Sequence, residues 1–375
     1  MSNVLIYAIP ADYHVHAVTW GLNHFGVACQ VWVPGDLPDR ATLSVEFGDE
    51  GRSIRLRQGE HVYALDDVQL IWNRRVAMPQ APSWAAETDA KFIEDECREL
   101  VNGLRHLLGR SVPTINSPLH QAAAARKLVQ LGEARKAGFT TVPTLVSNDY
   151  DEICRFWARH GPVVAKPFRV AAWKQGDDIY TAQTVTLPEP REEWRRELEL
   201  CPQIYQQRVA KQKEVRVIAF GRHRFAAEII NVGPASDDLR YDMRKQSVEY
   251  RQVEMPKDVE LGIAAYMGAL DILYGAFDFI VDEAGRWIFL ECNESGQFLF
   301  LEVAIPDLGL LDAFCRWMCE LMAIPGIDSV GPIRLDDFSR SGLQEQQAKR
   351  DWEVHKRGVL RTGLMLEDEP HSVKS

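Results

Sequence analysis

With 375 residues, 46% hydrophobic and 26% charged, the chain has ordinary globular composition and length for more than one domain. A formal charge of −11 argues against a general nucleic-acid binder but leaves room for a local basic groove. No apolar run reaches membrane-spanning length, the start MSNVLIYAIPADYH lacks signal-peptide character, and seven scattered cysteines without a CxxC fit reduced thiols in a cytoplasm.

In chain order, residues 4–9 predict a strand, 16–25 a helix ending near Gly26, and 28–33 a second strand. Residues 42–47 and 53–56, split by Gly48-Asp49-Glu50-Gly51, predict a hairpin. An apolar strand over 68–72 runs into Asn73-Arg74-Arg75. Strand C-termini in α/β domains often face the site, which makes Arg74 a candidate substrate contact; a surface turn is the other reading. A helix over 84–108 and a short strand over 112–115 complete an α/β layer domain, residues 1–117.

Residues 120–137, rich in Ala and closed by Gly138, predict a single helix. A strand at 141–146, a helix at 149–160 and strands at 163–167 and 179–185 make a small lid-like unit, 118–200. Strands at 204–207, 214–220 and 222–231 predict a larger antiparallel sheet, followed by helices at 259–270 and 310–322, in a core domain, 201–330. The charged extension, 331–375, predicts a helix at 343–355 and disorder over 367–375.

The most informative segment is GAFDFIVDEAGRWIFLECNESGQ, residues 275–297. It reads as strands 276–281 and 287–292 around the turn Asp282-Glu283-Ala284-Gly285. Asp278, Glu291 and Asn293 break its apolar pattern. A simple hairpin pairs Val281 with Arg286 and therefore Asp278 with Phe289. Phe289, Glu291 and Asn293 then share the face of Asp278, which sits diagonal to Glu291. Two carboxylates and an amide oxygen, without His or Cys, are hard ligands suited to Mg2+. An edge hairpin with solvated acids is the alternative. The strongly apolar strands, and their break at Asn293-Glu294-Ser295-Gly296, favour the metal.

Other residues carry weaker signals. Lys166, fixed by Pro167 at a strand end, is a candidate phosphate clamp or a surface lysine. Lys127, a weaker signal still, lies on a helix and reads as merely solvated when taken alone. Gln206-Gln207-Arg208-Val209 can present backbone to an adenine edge, and Glu214 can accept from ribose hydroxyls. Arg216, on an alternating strand, is a costly lone charge unless paired, and reads as part of this same site or as half of a partly buried salt bridge. The patch Arg240-Tyr241-Asp242-Met243-Arg244-Lys245 is a solvated loop or a contact for acyl phosphate and substrate carboxylate.

The order of these pieces resembles the ATP-grasp superfamily, and more narrowly the microviridin-type (graspetide) ligases that mature ribosomally made peptides. The carriers are LIWNRR (70–75), NSPLHQAAAARKLVQLGEARKAGFTTVPTLVSND (116–149), VVAKP (163–167), YQQRVAKQKEVRV (205–217), YDMR (241–244) and ECNESGQFLFLE (291–302). The resemblance implies an ATP-grasp α/β (α+β) fold: an N-terminal pre-ATP-grasp domain, a central lid and a C-terminal antiparallel-sheet core. It implies that Lys127 and Lys166 bind nucleotide, that Gln206, Gln207 and Val209 belong to the adenine hinge, and that Glu214 binds ribose. Arg216 and Arg244 match positions holding phosphate or reacting groups, and Asp278, Glu291 and Asn293 match ligands of Mg2+ on ATP. Asp242 is a candidate for orienting or deprotonating an attacking hydroxyl; Lys245 and Gln297, with Arg74, are candidate substrate contacts.

The chain departs from the family pattern in three places. Gln207 replaces a usual acid, Met243 replaces a tryptophan, and the lid loop FRVAAWKQG holds a single glycine, Gly176. The implied activity is ATP-dependent conversion of Asp or Glu side chains of a precursor peptide, leader plus core, into acyl phosphates. Ser, Thr or Lys of the same peptide then closes an ω-ester or ω-amide ring, in a cytoplasmic homodimer. The rival readings are an ATP-grasp ligase that adds a free amino acid, and a non-catalytic peptide-binding scaffold.

Overall fold

The computed structural model describes residues 3–49, 51–168, 172–175, 178–181, 184–231 and 248–362. It opens with β1 (Asn3–Tyr7), α1 (Tyr13–His24) and β2 (Ala28–Trp32). The helix begins three residues before the predicted start, because the Asp12 side chain accepts from the His14 N–H and caps it. The predicted hairpin gains a third strand: β3 (Ala41–Gly48), β4 (Gly51–Gln58) and β5 (His61–Ala64) form one antiparallel sheet. Gly59, at φ 57°, turns the chain between β4 and β5. Next come β6 (Leu70–Asn73), α2 (Glu87–Gly109) and β7 (Thr114–Ile115). The parallel sheet has the order β2-β1-β6-β7, with β6 placing Asn73 opposite Tyr7.

The predicted single helix over 120–137 is two helices, α3 (Pro118–Ala124) and α4 (Lys127–Lys136). Alanine propensity alone would carry a helix through Ala125, but Arg126 is extended, at ψ 116°. Docking decides. Buried Gln130 donates to the carbonyls of Ala124 and Cys292 and accepts from the Cys292 N–H. It satisfies a carbonyl at the end of α3 and fixes α4 to the large sheet.

The small sheet has the order β12-β9-β13-β8. Its strands are β8 (Thr144–Ser147), β9 (Val163–Lys166), β12 (Val185–Leu187) and β13 (Gln203–Gln207); α5 (Tyr150–His160) and α6 (Arg195–Leu200) accompany it. The strand expected at 179–185 is divided: β11 (Asp178–Thr181) pairs with β10 (Ala172–Gln175), and β12 joins the small sheet. Residues 204–207, expected in the larger sheet, pair instead with β8 and β9.

The large sheet has the order β16-β15-β14-β17-β18, with β14 (Lys211–Phe220), β15 (His223–Asn231), β16 (Val248–Gln252), β17 (Tyr274–Asp282) and β18 (Trp287–Asn293). One face packs on α4 and α7 (Lys257–Ala269) through Val215, Val217, Phe277, Phe279, Phe289 and Tyr266. Gly262 permits that approach: a Cβ there would stand 2.5 Å from the Phe139 ring.

The C-terminal helices are α8 (Leu299–Ala304), α9 (Leu310–Leu321), α10 (Leu335–Arg340) and α11 (Leu343–Thr362). The charged extension starts inside the main core. Ile333, Leu335 and Phe338 are buried with Val15, Leu22 and Phe314. Buried Glu302 accepts from the N–H groups of Leu311 and Leu335, joining the starts of α9 and α10. The segment 367–375 lies outside the described residues. Among the described residues, no helix is long and apolar enough to cross a membrane.

Candidate active site

Strands β14, β17 and β18 bring the acids together by register. Arg216 stands opposite Asp278, and Asp278 stands opposite Glu291. The second pairing corrects the simple hairpin, in which Asp278 would face Phe289. Phe279 pairs with Phe289, the register then shifts, and Leu290 is left as the extra residue of a bulge. This residue resets the alternation. Phe289 joins the apolar face, while Glu291 and Asn293 join Asp278 on the other.

The Arg216 guanidinium lies 3.1 Å from the Asp278 carboxylate, which bears out the salt-bridge reading of Arg216. Lys127, the first residue of α4, pairs with Glu291. The break between α3 and α4 places that lysine there. The Asn293 amide donates to Asp278 at 3.3 Å and to Glu291 at 3.1 Å. Burial pushes the Asp278 carboxyl up to about 6; Arg216 works against this and Glu291 adds to it. Two acids forced together are thus held by one guanidinium, one ammonium and one amide.

This donor set fits a divalent cation. Three oxygen-bearing groups converge from paired strands, and turning the Asn293 amide about its last torsion would present oxygen in place of nitrogen. The hard donors match Mg2+. Among the described residues, no cluster of three or more His, Cys, Asp or Glu side chains is arranged to hold a metal.

The remaining predicted residues are distributed as follows. Glu214 lies on β14, two residues before Arg216, and pairs with Lys211. Lys166 ends β9, opposite Ile204. Gln206 is buried and donates to the Thr144 hydroxyl. Gln207 ends β13, and β14 begins at Lys211, so 208–210 connect the small sheet to the large one. Val209 lies within that connection. The Gln297 carbonyl accepts from Arg216 at 3.4 Å. Arg74, 2% exposed, donates to the Ser295 carbonyl and lies 3.5 Å from Asp12. Asp242, Arg244 and Lys245 lie outside the described residues.

Sequence reasoning assigned no role to Asp12, His14, Asn116 or Tyr274, yet the last three bond the loop after β18 and Asp12 lies behind it against His14 and Arg74. Asn116 donates to the Glu294 carbonyl at 2.8 Å, and the Tyr274 hydroxyl to the Gly296 carbonyl at 2.8 Å. A recess behind this loop is lined by Trp72, Arg74, Tyr274, Glu294, Gly296 and Phe298. The signals were faint: a capping Asp before α1, and an Asn inside the quoted stretch NSP.

Several solved structures share this architecture. One is a RiPP-associated ATP-grasp ligase from Chryseobacterium gregarium, in complex with ADP and a leader and core peptide. It has a TM-score of 0.79 and 25% identity, over 86% of this chain and 97% of that one. The macrocyclase MdnC from Microcystis aeruginosa, bound with the precursor peptide MdnA, gives 0.73 and 21%, over 85% and 100%. D-alanyl-alanine synthetase A from Vibrio cholerae gives 0.52 and 11%, over 86% and 98%. No protein-family model and no curated protein matches the chain. The fold is that of the ATP-grasp proteins.

Proposed function

We propose that this chain, an ATP-grasp protein built like the RiPP-associated ligases, is an ATP-dependent ligase acting on a ribosomally made precursor peptide. The observation that carries the proposal is the convergence of Asp278, Glu291 and Asn293 on one face of the sheet, flanked by Lys127 and Arg216. Asp278, Glu291 and Asn293 would hold Mg2+, which when bound offsets charge on the nucleotide phosphates.

The chain's own groups orient the reactants. Lys127 and Arg216 already neutralise the acids and stand where they can turn to phosphate oxygens. Lys166 supplies a further ammonium from the small sheet, and 206–209 supply backbone to the base. A substrate Asp or Glu carboxylate takes the γ-phosphoryl group of ATP, giving an acyl phosphate and ADP. A hydroxyl or amine of the same peptide then attacks the acyl carbon, loses its proton and expels inorganic phosphate. No protein nucleophile enters this sequence. Alignment and charge neutralisation supply the rate.

The test is mass spectrometry of a precursor peptide encoded beside this protein, incubated with protein, ATP and Mg2+. ATP-dependent loss of one water per new bond is expected, and chelation with EDTA should abolish it. A mass gain of one amino-acid residue would replace this reading with that of an amino-acid ligase. An unmodified peptide with no ADP formed would overturn it.

A further inference from the structure

The loop 293–299 leaves β18 at a metal-site residue and is held at almost every peptide unit by side chains from elsewhere. The carbonyls of residues 294–297 accept, in order, from Asn116, Arg74, the Tyr274 hydroxyl and Arg216. The N–H groups of Phe298 and Leu299 both donate to Nε2 of His14, at 2.9 and 3.1 Å. Three of these side chains, His14, Arg74 and Asn116, come from the N-terminal part of the chain.

His14 accepts twice through Nε2, so its proton sits on Nδ1, which lies 3.5 Å from Asp12. Burial lowers its pKa to about 4 and keeps the ring neutral. Burial alone would raise Asp12; the hydrogen bond from His14 and the charges of Arg74, His14 and Arg75 outweigh it and hold the carboxyl well below its usual range. Its other oxygen lies 3.5 Å from Nε of buried Arg74. One carboxylate thus lies against two of the five side chains that hold the loop, His14 and Arg74.

Asp12 follows Ala11, a non-glycine residue at φ 56°. The Ala11 N–H donates at 2.9 Å to Asp351 on α11, and the same Asp351 oxygen lies 2.9 Å from Nε2 of His16. The C-terminal extension therefore fastens the turn that presents Asp12.

We propose that Asp12, His14 and Arg74 are positioning residues that hold the 293–299 loop, and with it Asn293, in register for a metal–nucleotide, and that Asp351 latches them from the C-terminal helix. This rests on the reading of Asp278, Glu291 and Asn293 as a Mg2+ site. None of the four touches a reacting atom. Their effect is on how well the third oxygen donor is placed.

The test is calorimetric titration of the full-length protein with ADP, in EDTA and in Mg2+, for wild type, Arg74→Met, Asp351→Ala and Asp351→Asn. Wild type should bind ADP more tightly with Mg2+. Arg74→Met should reduce that Mg2+-dependent gain about tenfold while leaving affinity in EDTA unchanged, since the base and ribose contacts lie elsewhere. Asp351→Ala should reduce it a few-fold, and Asp351→Asn, which still offers an acceptor to Ala11, should restore most of it. If Arg74→Met, at a buried position, fails to fold, the pair of variants at half-buried Asp351 decides alone. Equal losses with and without Mg2+ would mean a general structural role and overturn the proposal, as would variants matching wild type. A wild type indifferent to Mg2+ would overturn the metal site itself.

Discussion

Strands β14, β17 and β18 present two faces built from alternate residues of the same segments. On one, Phe139 and Phe289 stack at 5.3 Å, with Phe277, Phe279 and Tyr266 around them. On the other stand Glu214, Arg216, Asp278, Glu291 and Asn293, with Asp278 between Phe277 and Phe279 along the chain and Glu291 two residues after Phe289. The first face is stabilised by removing aromatic surface from water and by edge and stacked ring contacts. The second gathers groups whose burial is unfavourable, offset only by pairing. The contrast teaches how the site is placed. The aromatic face fixes the backbone, and the backbone fixes the acids. Leu290 is where the two interleave, because its bulge sends Phe289 one way and Glu291 the other.

The sharpest way to break the comparison is to remove charge from the polar face alone. Glu291→Gln keeps the shape but leaves Lys127 without its anion and the metal site without one carboxylate. ATP turnover, followed as ADP release, is expected to fall by about a thousandfold or more, roughly 4 kcal/mol in the barrier. The thermal midpoint should stay near that of wild type, because a half-buried pair of like charges is relieved at the same time. Turnover at the wild-type rate would sink the metal assignment.

The converse change acts on the aromatic face. Phe289 is 1% exposed and touches three other rings, so Phe289→Ala should cost about 3–5 kcal/mol of stability. The urea midpoint checks it. Nucleotide binding by the fraction still folded should survive, since the acids one row away keep their partners. A variant that keeps its midpoint but loses nucleotide would show that the faces are not separable.

How much of this was legible follows from the range of the interactions involved. The hairpin, its turn and its three oxygen donors stand within 20 residues, and period-two alternation carries them. What alternation could not carry was the bulge, since an extra residue at Leu290 breaks the rule used to assign faces. The single helix over 120–137 failed for a related reason: local propensity has no knowledge of Gln130 bonding to Cys292, 162 residues away. Arg74 was picked out at a strand end, but its burial against Asp12 and Ser295 depends on a contact 221 residues distant. The Asp12–His14–Asp351 network was invisible, because one member lies in a charged extension that composition alone presents as solvent-facing.

The smallest expected effect lies at the turn joining the two faces' strands. Asp282 accepts from the N–H groups of Ala284 and Arg286 and from the Arg286 guanidinium. The backbone and side-chain hydrogen bonds of Arg286 hold its carboxyl below the usual range. A depressed pKa means that the ionised form is bound more tightly in the folded state. Its stabilisation is therefore complete above the unfolded value, near 3.9, and is lost as pH falls through the folded value. Asp282→Ala should lower the urea midpoint slightly at neutral pH, far less than Phe289→Ala. The gap from wild type should narrow on acidification below about pH 4. Because the turn sets where pairing begins, while Leu290 sets which face each acid takes, ATP turnover should be little changed in this variant. A large loss of turnover with a small loss of stability would mean that the turn, and not the bulge, controls the register of Asp278 against Glu291.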